Sequence, residues 1–264
     1  MRVGNRNVQN PHIIMRNCIV LGSGRSGTSM LAGTLGNAGY FMGEGLLSAR
    51  EANPKGFYED REVNDINETI LDGFVPQRVK MMAIEVFRDR PLYGHRWLAR
   101  VPVGKVISLP SNSVEARIST LVCNEPYCFK DPRFSYTLPA WKPFLRNAVF
   151  VCVFRNPGTT VNSIIQECRD NNYNLRINFR RALEVWTLMY RHITETHRHH
   201  GEWLFLHYNQ VLTRLGLDKL ESFTGASVDR SFPDPSLNRS PSSEIISQAA
   251  SRVYRELCRL ADYN

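Results

Sequence analysis

The stretch that most constrains the fold lies near the start of the chain. Cys18-Ile19-Val20-Leu21 is a short apolar run closed by Gly22, the pattern of a buried parallel strand, and it leads directly into Gly22-Ser23-Gly24-Arg25-Ser26-Gly27-Thr28-Ser29. The small-residue amphipathic segment MLAGTLGNAG follows and predicts a helix that stops at Gly39. A glycine-bearing loop between a buried strand and a helix leaves several backbone N–H groups aimed at one point, where the helix dipole adds partial positive charge. Such a unit is built to receive a phosphate-like anion. The loop departs from the pattern G-x-x-x-x-G-K-[ST], because Thr28 stands where the lysine belongs and the cation, Arg25, comes earlier.

Further along, Ala148 to Phe154 is the strongest strand signal in the chain, a run of apolar and β-branched residues ending at Arg155, and it is expected to lie centrally in the sheet. Asn156-Pro157 then offers an N-cap and a proline at the first helical position, so a helix carrying Ser163 starts at once. Tyr127-Cys128-Phe129 and Trp203 to His207 read as strands, and VNDINETIL, 178–199 and 243–261 as helices. Residues 44–60 form a long loop rich in Gly, Pro, Asn and charge, of the kind that usually serves function. Residues 74–122 read as helices and loops, with no chemistry assigned. The expected architecture is α/β, a central and mainly parallel sheet flanked by helices on both faces in a P-loop-like fold, with a polar extension over 1–16 and one domain over 17–264.

The formal charge of +8, from 33 basic and 25 acidic residues, suits a polyanionic ligand. The basic residues are dispersed, with no run of five and no RNA-binding or zinc-finger signature, which argues against nucleic acid as a partner. The six cysteines include no Cys-x-x-Cys pair and read as buried free thiols. His192, His197, His199 and His200 crowd one predicted helix end, where exposure to solvent is the simple expectation. The N-terminus lacks a long apolar segment and no run is long enough to span a bilayer, so a cytoplasmic enzyme is expected.

With these residues in view, the chain resembles the PAPS-dependent sulfotransferases (PAPS, 3'-phosphoadenosine 5'-phosphosulfate), in particular bacterial-type members, with local similarity to tyrosylprotein sulfotransferases. Arg25-Ser26-Gly27-Thr28-Ser29 resembles the family's phosphosulfate loop, R-S-G-T-[ST]. Arg155 and Ser163, eight residues apart across a strand end and the following helix, resemble the pair that holds the 3'-phosphate, and a guanidinium with a helix-borne hydroxyl suits a doubly charged phosphate. Lys130, in Lys-Asp-Pro, is similar to a lysine that stabilises the leaving phosphate; Tyr208 to a tyrosine near the adenine, although Asn209 and Gln210 replace the usual acids; and Arg239 to a late basic residue closing over the nucleotide.

Transfer to a hydroxyl needs a base, and two glutamates compete for the role. Glu44, in a glycine-flanked turn soon after the loop helix, is placed first by similarity to tyrosylprotein and trehalose sulfotransferases, while Glu59 belongs to a segment like the bacterial Asn-Pro-Lys-Gly-[Phe/Tyr]-x-Glu. The resemblance implies PAPS as donor, PAP as product, no metal, and an acceptor hydroxyl, first of a carbohydrate or small metabolite. Two other readings stand beside it: a P-loop kinase, which the absent lysine disfavours, and a nucleotide-binding module without catalysis.

Overall fold

The computed structural model describes residues 14–50, 53–82, 84–237 and 246–264. The chain begins with β1 (Asn17–Leu21), the glycine loop and α1 (Thr28–Leu35), followed by α2 (Arg61–Asp72), a hairpin of β2 (Val79–Met81) and β3 (Ile84–Val86), and α3 (Asn112–Val122). Next come β4 (Cys128–Lys130), α4 (Phe134–Trp141), β5 (Ala148–Phe154), α5 (Pro157–Asp170) and α6 (Phe179–Arg191). The remainder is β6 (Glu202–His207), the single-turn α7 (Tyr208–Val211), α8 (Arg214–Thr224) and α9 (Gln248–Leu260).

Four strands form one sheet in the order β4-β1-β5-β6, every pairing parallel, with β1 and β5 inside. The strands are apolar on both faces because both faces are covered. Phe150, Cys152 and Phe154 of β5, with Ile19 and Leu21 of β1, enter a core completed by α2, α3, α4, α5, α6 and α9, as Ile66, Ile118, Trp141, Ile164, Trp186 and Leu257 show. Val149, Val151 and Val153, with Cys18 and Val20, face a second core closed by Leu31 and Leu35 of α1 and Leu217 and Leu220 of α8.

Because the sheet is parallel, the carboxyl ends of its strands share one edge. The glycine loop, Lys130, Arg155 and Tyr208 therefore come together there, the usual ligand edge of an open α/β sheet. Local capping sharpens the placement. Asp60 accepts from the amides of Glu62 and Val63 and so fixes where α2 starts, two residues after Glu59. Asn156 accepts from the Thr159 amide, with Pro157 at the first helical position, which starts α5 directly at the end of β5.

Several expectations need correction. The unassigned stretch 74–122 contains the antiparallel hairpin β2-β3, whose three-residue strands are too short to carry a readable alternation. His192 and His197 are buried rather than exposed, because a wider π turn over His192–Thr196 rotates this end of the helix inward; their Nε2 atoms lie 3.1 Å from the carbonyls of Val101 and Ser135. Burial pushes His197 down to about 3. His199 and His200 are exposed as expected, whereas Cys123 is an exposed thiol. The first helix ends at Leu35, earlier than Gly39; of the helix expected over 243–261, residues 243–245 lie outside the described residues, and the helix itself spans Gln248–Leu260. Among the described residues no helix is long and apolar enough to cross a membrane.

Candidate active site

One cavity of about 390 Å³ opens at the carboxyl edge of the sheet, and the glycine loop forms its floor. Gly27 adopts φ 96°, and a Cβ there would lie 2.6 Å from the Tyr208 ring; a Cβ on Gly24 would lie equally close to Trp97. Both glycines thus let aromatic walls close directly on the loop backbone. Arg25 takes φ 68°, a left-handed conformation that a side chain tolerates only when its surroundings impose it. Its surroundings are on α5: Arg25 Nε donates to Ser163 Oγ at 3.1 Å, and Nη1 lies 3.3 Å from Glu167 Oε2.

Arg155 stands at the end of β5 with its guanidinium 4.6 Å from the centre of the Tyr208 ring. Burial lowers its hold on the proton, Tyr208 partly offsets this, and the neighbouring Arg25 lowers it further. Two neighbouring guanidiniums, one of them hydrogen-bonded to Ser163, line this side of the cavity and present positive charge of the kind that suits a multiply charged anion.

The opposite wall is an ion network. Lys130 Nζ donates to Glu59 Oε1 at 2.5 Å and to Ser29 Oγ at 3.1 Å, tying the end of β4 to the glycine loop. Glu59 also accepts from Asn64 Nδ2 at 3.0 Å. Burial alone would raise the Glu59 carboxyl, but Lys130 and Arg133 outweigh it and hold the group below the usual carboxylate range. Behind this pair, Arg133 donates to Glu68 at 2.6 Å, to Asp131 at 3.0 Å and to the Gly94 carbonyl at 2.9 Å. Glu68 accepts from the Arg96 amide at 2.9 Å, so α2 holds the segment that brings His95 and Trp97 to the cavity. His95 stacks on Tyr173 at 4.1 Å, and burial lowers its pKa, leaving a neutral imidazole on the wall. Among the described residues no cluster of His, Cys, Asp and Glu is arranged to hold a metal ion.

A family model described as the sulfotransferase family matches residues 18–216, which takes in the loop, both strand-end cations and Ser163. The chain belongs to the sulfotransferase family. No curated protein matches it. Among solved structures it is similar to the sulfotransferase domain from the curacin biosynthetic pathway, at 14% identity and a TM-score of 0.55, over 95% of this chain and 99% of that one. It is similar also to a sulfotransferase from Alicyclobacillus acidocaldarius, at 11% identity and a TM-score of 0.50, over 95% and 97% of the two chains. At such identities the likeness speaks for the fold.

Of the site residues expected in this sulfotransferase from sequence, Arg25, Gly27, Thr28, Ser29, Glu59, Lys130, Arg155, Ser163 and Tyr208 line the same cavity. Ser26 belongs to the loop, but its side chain is buried beneath it and is not on the wall. Glu44 is exposed and is not among the residues that line the cavity, although the segment that follows it is held against Glu59 and Asp60. Arg239 lies outside the described residues. Sequence reasoning missed His95, Trp97, Arg133, Glu167 and Tyr173. Glu167 was within reach: it follows Ser163 by four residues, one turn along the same face of a helix.

Proposed function

We propose that this sulfotransferase moves a sulfuryl group from PAPS to an acceptor hydroxyl, that of a carbohydrate or small metabolite, and releases PAP. The observation that carries the donor assignment is the convergence of Arg25, Arg155 and Ser163 beside a glycine loop that lacks the lysine of an ATP-binding loop. A 3'-phosphate would sit between Arg155 and Ser163, and the 5'-phosphosulfate over the amides of residues 25–29 at the start of α1.

PAPS supplies the sulfuryl group as a mixed anhydride whose sulfur–oxygen bond to phosphate breaks as the bond to the acceptor oxygen forms. Lys130 and Arg25 stabilise the charge that collects on the departing phosphate. We assign the base to Glu59 rather than Glu44, on its place in the cavity wall against Lys130. As Lys130 turns its charge toward the phosphate, Glu59 loses part of its counter-ion, and burial then favours its taking the acceptor proton. The carboxyl thus gains proton affinity in step with the transfer.

The test is binding first and chemistry second. PAP should raise the melting temperature well above the shift given by ATP with magnesium, and labelled PAPS offered with a panel of hydroxyl acceptors should give a product heavier by one sulfuryl group. Equal stabilisation by both nucleotides would remove the case for a 3'-phosphate seat.

A further inference from the structure

Glu167 is a carboxylate with only 4% of its side chain exposed, one helical turn beyond Ser163 on α5. A buried carboxylate survives as a charge only if it is paired and hydrogen-bonded. Its two oxygens divide that task. Oε1 accepts from the Tyr173 hydroxyl at 2.9 Å and from Asn171 Nδ2 at 3.0 Å, both just past the end of α5, which fixes the carboxyl plane. Oε2 makes no hydrogen bond among the described residues and faces the Arg25 guanidinium at 3.3 Å. Arg25 is therefore gripped twice from α5, by the Ser163 hydroxyl at Nε and by the Glu167 carboxylate at Nη1. The Tyr173 ring that steadies Glu167 also carries His95 in its stack, so one string of contacts runs from the donor cation to the acceptor wall.

We propose that Glu167 is a positioning residue: it holds the Arg25 side chain aimed into the cavity and, through Tyr173, ties that aim to the acceptor wall. Its negative charge works against binding a 3'-phosphate at Ser163 next door, so its presence there is explained by orientation rather than by affinity. The role rests on the donor site proposed above, but the first arm of its test does not.

The first arm uses the nucleotide-free protein and guanidinium NMR. In the wild type the Arg25 side chain should show a protected Nε–H and slow rotation of its terminal nitrogens. Glu167→Gln keeps an acceptor for Tyr173 but removes the charge, and should release that rotation with little change in melting temperature. The second arm is kinetic. Glu167→Gln should lower kcat about tenfold while the KM for PAPS stays within about threefold or falls, Glu167→Asp should recover part of kcat, and Tyr173→Phe should lower kcat only about twofold. An Arg25 signal equally restricted in Glu167→Gln, or a Tyr173→Phe loss as large as that of Glu167→Gln, would overturn the proposal, since either would mean that the carboxylate only braces the end of α5. If PAP fails to bind the wild type, the donor reading falls, while the NMR arm still decides the role of Glu167.

Discussion

The two ends of the cavity are built in different ways. At the end proposed to hold the donor, each of three strands is followed at once by a residue or loop of the cavity wall: β1 by the glycine loop, β5 by Arg155, β6 by Tyr208. Backbone geometry does the positioning. At the opposite wall, proposed to face the acceptor with Lys130 at its border with the donor, no single element suffices: Glu59 comes from the loop before α2, Lys130 from β4, His95 and Trp97 from an irregular segment, and Tyr173 from beyond α5. Buried side chains hold these pieces together, chiefly Glu68, Asp131 and Arg133. The donor end should therefore tolerate loss of a side chain with the fold intact, and the acceptor wall should not.

The comparison breaks most sharply at the two glutamates. Glu59→Gln should reduce turnover by about 10²–10⁴ with PAP affinity nearly unchanged, because glutamine keeps the shape but cannot take the proton. Glu44→Gln should leave turnover within about twofold of wild type under saturating acceptor, as expected of an exposed residue. Steady-state rates with labelled PAPS would measure both, and a reversed order would return the base to Glu44.

Next in size is the network behind the wall. Glu68→Ala takes one carboxylate from each of two buried guanidiniums, leaving Arg133 with Asp131 and Arg96 with Asp72, so unfolding in denaturant should reveal a loss of about 3 kcal/mol, the lower end of the range for breaking a buried ion pair. At the donor end, Arg155→Ala should weaken PAP binding by about 1.5–3 kcal/mol in calorimetry with little change in melting temperature. Global unfolding of that variant would erase the contrast between the two ends.

The smallest effect is that of acid. His207, whose Nδ1 accepts the Asn209 amide at 3.1 Å at the start of α7, is pushed down to about 4 by burial and then by Arg155. His197, behind the acceptor wall, sits at about 3. Unfolded histidine takes a proton near pH 6.5 and these folded ones refuse it, so their contribution is complete above 6.5 and drains away as pH falls below it. Between pH 6.5 and 5 each should remove on the order of 1 kcal/mol of stability per pH unit, and His207→Gln should flatten the slope by one such share. An unchanged slope in that variant would show that His207 does not titrate with unfolding.

What was legible in the chain beforehand follows the same division. Cys18 to Ser29 and Ala148 to Ser163 each keep an apolar strand, its terminal loop or cation and the start of a helix within one short stretch, so periodicity and glycine placement found the first, and periodicity and the Asn156-Pro157 cap the second. The preference for Glu44 rested on resemblance, on its glycine-flanked turn and on its short distance along the chain from the loop. That distance carries no information about which carboxylate the intervening turns bring back to the sheet edge.

The buried strands, the glycine loop between β1 and α1 and the cations at the strand ends were legible in the chain, because each follows from residues close in sequence. Only the tertiary structure decided that Glu59 meets Lys130 across 71 positions and that Arg25 meets Ser163 across 138. It also decided that His192 and His197 turn inward to buried carbonyls. Charge and polarity read in isolation predict exposure. A buried charge or imidazole becomes tolerable only when a partner from elsewhere in the chain meets it, and that partner is visible only once the chain has folded.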